Sequence, residues 1–169
     1  MTLWTLLLGG LGVVAIAAAA TMLLPRHIHI ERQSTLATTP DAVLAFAAST
    51  QGYQAFNPYK SVDPNLSITP FGPTNGIGAG FHFDGKDGKG SQTITEISPS
   101  HVRYDIDLGA MGQPVQSIHT TPTNDGTRVT WRMDMDLGFN PVSRVFGLFL
   151  DKMVGQTFDQ GLANLAAAT

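Results

Sequence analysis

The chain of 169 residues contains no cysteine. Disulfides, thiolate metal sites and a cysteine nucleophile are therefore excluded. Charge is also scarce, at 14% of residues, and the net charge is -3 with a pI near 5.9. Without a cluster of Lys or Arg there is no electrostatic footprint for nucleic acid, and none is expected as a partner. No serine sits in a nucleophile-elbow motif, and no two histidines have metal-site spacing. Gly76-Ile77-Gly78-Ala79-Gly80 leads into a strand rather than a helix, so it is not a phosphate-cradling loop. No catalytic residue, metal or cofactor is assigned from the sequence.

The feature present in excess lies at the start. From Leu3 to Leu24 the chain has no charged residue. A helix needs ~20 apolar residues to span a bilayer. We expect a single-pass anchor over residues 1–25, held in the cell (inner) membrane, and one domain over residues 26–169. The competing reading is a cleaved signal, with Ala17 to Ala20 as its small-residue site; the length of the run and the lack of a preceding Lys or Arg favour the anchor. Arg26 and Arg32 follow the run, which places the domain on the cytoplasmic side. Gly12, Ala15 and Ala19 share a helix face that would allow weak self-association, against the simpler reading that alanine is apolar filler.

After the run, His27 to Leu36 alternates as a strand. Thr39-Pro40-Asp41 opens a helix whose stripe is Val43, Leu44, Phe46 and Ala47. A short second helix ends at Asn57, because the residue before proline resists the helical region. Period-two segments follow at 66–71, 76–83, 91–97, 101–108, 115–121 and 127–137. The last is the clearest: Val129, Trp131, Met133 and Met135 point one way, and Arg128, Thr130, Arg132 and Asp134 the other. Asn140-Pro141 starts a helix that runs to about Leu165, with Val142, Val145, Phe146, Phe149, Met153, Phe158, Leu162 and Leu165 on a broad apolar face. Gly147, Gly155 and Gly161 lie inside it at ~1 kcal/mol each relative to alanine. Such glycines mark close approach of the backbone to something else.

These pieces together resemble the helix-grip superfamily of START lipid-transfer domains, the birch-pollen allergen family and polyketide cyclases, and within it the bacterial membrane-anchored branch. The resemblance rests on Thr39-Pro40-Asp41-Ala42-Val43, on Gly52-Tyr53 through Phe56-Asn57-Pro58-Tyr59, on Gly78 to Phe83, on Gly90 to Glu96 with Pro99, on Asp125 to Trp131, and on Gly147-Leu148 with Asp151 to Gly155. It implies an α+β fold: a curved antiparallel sheet of six or seven strands wrapped on a long C-terminal helix, with a cavity between them. Gln92 departs from the usual hydrophobic residue, and the strand 115–121 is unusually polar.

The resemblance implies binding of a hydrophobic small molecule or lipid near the bilayer. Trp131, Met133 and Met135, facing Phe146, Phe149 and Met153, are the expected pocket wall, joined by Phe81, Phe83 and Tyr104; ordinary core packing is the competing role for each. Gln92 would orient a ligand carbonyl or hydroxyl, and His119 is the one candidate interior histidine. Two rival functions remain. A cyclase or dehydratase would need His119, Gln92 and Tyr104 to converge. A protein-interaction module would show a filled interior and an exposed apolar patch.

Overall fold

The computed structural model describes residues 19–169. Most of the expected anchor, with Gly12 and Ala15, lies outside the described residues. Ala19 to Thr21 are helical and Met22 to Leu24 form a turn. Among the described residues, no helix is long and apolar enough to cross a membrane.

Seven strands form one antiparallel sheet: β1 His27–Leu36, β2 Ser67–Phe71, β3 Gly80–Gly85, β4 Gly88–Ser98, β5 His101–Asp107, β6 Val115–Thr123 and β7 Gly126–Asp136, in the spatial order β1-β7-β6-β5-β4-β3-β2. Helices α1 Pro40–Ala47, α2 Thr50–Phe56 and α3 Tyr59–Val62 link β1 to β2, and α4 Pro141–Ala168 closes the chain. The expected helix-grip arrangement is thus present, with α3 as an added turn after the proline break. The helix starts are set by side chains that accept from orphan amides: Thr39 from Ala42, Ser49 from Gly52, and Asn140 from Val142 at 2.9 Å.

Register places one row of side chains on the inner face across five strands. Ile30 lies opposite Met133, Met133 opposite Gln116, Gln116 opposite Tyr104, and Tyr104 opposite Ile94. The far edge strand β2 is only five residues long and carries Pro70.

The three glycines of α4 explain how the helix lies so close to the sheet. All three are buried. A β-carbon at Gly147 would meet Ile28 and Leu137, one at Gly155 would meet the Arg32 guanidinium, and one at Gly161 would meet the Trp131 ring and Pro58. Arg32 points inward from β1, donates to the Asp151 carboxylate at 3.1 Å, and lies 3.6 Å from Asp159. It pins the middle of α4 to the edge of the sheet. Leu150, Phe158, Leu162 and Leu165 complete the buried stripe.

Gly161→Ala tests this seating. Alanine is favoured in a helix by about 1 kcal/mol. Here its methyl would drive into an indole ring boxed by other aromatics, and overpacking of this kind costs about 1–3 kcal/mol. Denaturant titration is expected to show net destabilisation; a more stable variant would show that the contact is slack.

Candidate functional site

The inner end of the concavity is filled with aromatic rings. Trp131 on β7 stacks on Phe158 of α4, with centroids 4.7 Å apart and planes at 11°. Its edges meet Phe56 at 5.7 Å and Tyr53 at 6.1 Å, both from α2. Tyr53 in turn contacts Phe81 at 5.5 Å and Tyr104 at 5.4 Å. The space left beside Tyr53, Phe81, Gln92 and Tyr104 is about 10 Å³. That holds about one water. An elongated enclosed cavity was expected between sheet and helix; among the described residues this inner half is closed instead, because α2 inserts Tyr53 and Phe56 into the space.

The polar groups buried here are paired with one another. The Tyr104 hydroxyl donates to the Ala47 carbonyl at 2.8 Å, and the Trp131 Nε1 donates to the Gln116 Oε1 at 3.2 Å. Gln92 is buried beside Tyr53 and Tyr104. Burial pushes both phenols well above their ordinary range, so they stay protonated. Gln116 is the functional-looking residue that the sequence reading missed. Parity in β6 turns Gln116, Ile118 and Thr120 inward and Ser117 and His119 outward.

His119 therefore lies on the opposite face from Gln92 and Tyr104, and the three do not converge. Its ring stacks on His101 at 4.9 Å, and its Nε2 lies 2.9 Å from the Ser117 hydroxyl. Partial desolvation lowers its pKa, aided by Arg132 and His101, while Glu31 opposes.

The outer end of the concavity differs. Phe83 and Met135 are only partly buried on the sheet side, while Met133 is buried. On α4, Phe146, Phe149 and Met153 are exposed together with Val142 and Val145. They form a second stripe, displaced from the one that seats the helix. So of the sequence-predicted set, Phe81, Gln92, Tyr104, Trp131 and Met133 lie in the packed core, whereas Phe83 and Met135 are partly buried on the sheet and Phe146, Phe149 and Met153 are exposed on α4. A separate shallow depression of about 560 Å³ lies on the outer sheet face against Thr69, His82, Asp84, Lys89 and Ser91. It is open to solvent and also takes in Phe83. Among the described residues no cluster of His, Asp or Glu is arranged to hold a metal.

The family described as polyketide cyclase / dehydrase and lipid transport matches residues 27–169. No curated protein matches the chain at a significant level. Solved structures share the fold. Norcoclaurine synthase from Thalictrum flavum, in complex with dopamine and hydroxybenzaldehyde, is 9% identical with a TM-score of 0.64, covering 88% of each chain. The di-domain aromatase/cyclase StfQ of steffimycin biosynthesis is 14% identical with a TM-score of 0.62 over 83% of this chain, which spans about half (50%) of StfQ. Ara h 8.0201 is 12% identical with a TM-score of 0.60, covering 83% of this chain and 99% of its own. At these identities the likeness is one of fold.

The depressed His119 pKa has a consequence for stability. The unfolded chain takes up a proton near pH 6.5, the ordinary value, before the folded chain does. Stability should therefore fall as pH drops below about 6.5 and flatten only below the folded-state pKa. His119→Gln is expected to remove this component of the pH dependence, read as the urea midpoint across the acid range; an unchanged profile would assign it to other groups.

Proposed function

Because the chain belongs to the polyketide cyclase / dehydrase and lipid transport family, we propose that it binds a hydrophobic small molecule or lipid at a membrane, in the open half of the helix grip. One observation carries this reading: the apolar stripe of α4 from Val142 to Met153 is left without a partner, with Val142 75% and Phe149 58% exposed. On the sheet, Phe83 and Met135 are left only partly buried. A flexible, polarisable methionine suits ligands of irregular shape. The aromatic packing around Trp131 then forms the floor of the site, and Gln116 stays occupied beneath it by the Trp131 indole. The uncharged run from Leu3 to Leu24 is the anchor in this proposal, with the domain on the cytoplasmic side. Apolar ligands partition into bilayers, so a tethered site meets them at high local concentration.

Cyclase-like catalysis is the weaker reading. It needs a side chain that can pass a proton beside the substrate. His119 faces away, the buried phenol of Tyr104 is already bonded, and burial holds it and the phenol of Tyr53 protonated.

The test is binding by the full chain in nanodiscs. Mass spectrometry of the purified protein is expected to find an enriched apolar compound, and a fluorescent fatty-acid probe is expected to bind saturably. Burying a phenylalanine is worth ~1.5–3 kcal/mol, so Phe149→Asp should weaken the probe by about tenfold or more. Equal probe binding by wild type and variant, with no enriched compound, would overturn the proposal.

A further inference from the structure

The point where the uncharged run meets the folded domain is fixed by one buried arginine. Arg144, in the first turn of α4, is 5% exposed. Its Nη1 donates to the Met22 carbonyl at 2.8 Å and to the Leu24 carbonyl at 3.3 Å, and its Nε donates to the Gly138 carbonyl at 3.0 Å. The Leu137 amide donates to the Arg26 carbonyl at 2.9 Å, and Arg26 pairs with Asp136 at 2.6 Å. The exit of the run and the start of α4 are therefore one rigid joint with no linker between them.

The surface beside that joint is apolar. From Gly138 to Leu150 the only charged residue is Arg144, which the joint itself occupies. Phe139 is 71% exposed, with its ring 4.8 Å from the Arg26 guanidinium carbon and 5.7 Å from that of Arg144. Val142, Val145, Phe146 and Phe149 continue the patch along about 10 Å of helix. A monomeric surface rarely leaves a contiguous patch of this kind to water. An aromatic ring between two arginines, next to an uncharged helix face, has the chemistry of the bilayer interface.

We infer that this end of the domain lies on the lipid, with Phe139, Val142 and the first turns of α4 set into the boundary between headgroups and acyl chains. The occupant is a bilayer because the run of residues 3–24 ends at the patch, and Arg144 leaves that run no slack to hold the patch away from the membrane it enters. The inference rests on the anchoring reading proposed above. It adds an orientation: the open half of the grip faces the membrane, and the turn between β6 and β7 points away from it.

The absence of cysteine makes a direct test available. Val142→Cys, Phe149→Cys and Asp125→Cys are made singly in the full chain, spin-labelled and reconstituted into phosphatidylcholine vesicles. Asp125 lies in the β6–β7 turn, about 33 Å along β7 from the joint by strand rise. Relaxation by oxygen, which concentrates in lipid, is compared with relaxation by a water-soluble nickel chelate. The oxygen-to-nickel ratio is expected to be several-fold higher at 142 and 149 than at 125. Nickel access at 142 and 149 equal to that at 125, with the protein still resistant to carbonate extraction, would overturn the orientation and leave the anchor standing. Exclusion of both reagents with spin–spin broadening would also overturn it, in favour of a second copy on the patch. Release of the chain by carbonate would overturn the anchor and this inference together.

Discussion

The contact between Trp131 and α4 governs this molecule. An indole ring projecting from the centre of a sheet sets a minimum distance to anything laid across it. The chain meets that limit with Gly161, which removes a side chain where the ring would collide, and with Phe158, which lies flat against it. The helix can then descend far enough for Arg32 to reach Asp151 and for Gly147 to rest on Ile28 and Leu137. Once α4 is seated at this depth, the room left under its C-terminal half fits Tyr53 and Phe56 and almost nothing more.

That packing divides the grip into two unequal parts. One part is a solid aromatic core in which the polar groups of Tyr104 and Trp131 have partners. The other, nearer the start of α4, leaves apolar side chains of the helix exposed. The fold is shared with norcoclaurine synthase and Ara h 8.0201, and in this chain α2 fills the inner end of the concavity. The buried glutamine Gln116 serves the core, accepting from the Trp131 indole.

Much of the fold was legible because its signals are local. Alternation in β1 and β7, the caps at Thr39 and Asn140, and the proline break after Asn57 each act within a few residues. The inward placement of Phe81, Tyr104, Trp131 and Met133 follows from the same alternation. The split of α4 into two stripes was not legible. The seating stripe is built partly from glycines, which carry no hydrophobic signal, so the larger side chains of the exposed stripe dominated the pattern. Strand β6 misled for another reason. Its two faces are nearly equal in polarity, so parity alone did not distinguish Gln116 from His119; only the register with Tyr104 and Met133 does.

The far edge of the sheet carries one more consequence. An open sheet ends in a strand with unpaired donors and acceptors, a ready template for strand addition by a neighbouring chain. At the far edge that strand is β2, five residues long, and Pro70 removes one of its donors. A neighbour would find too short a ladder with a missing rung. This end of the sheet is therefore a poor place for it to grow from one molecule into the next.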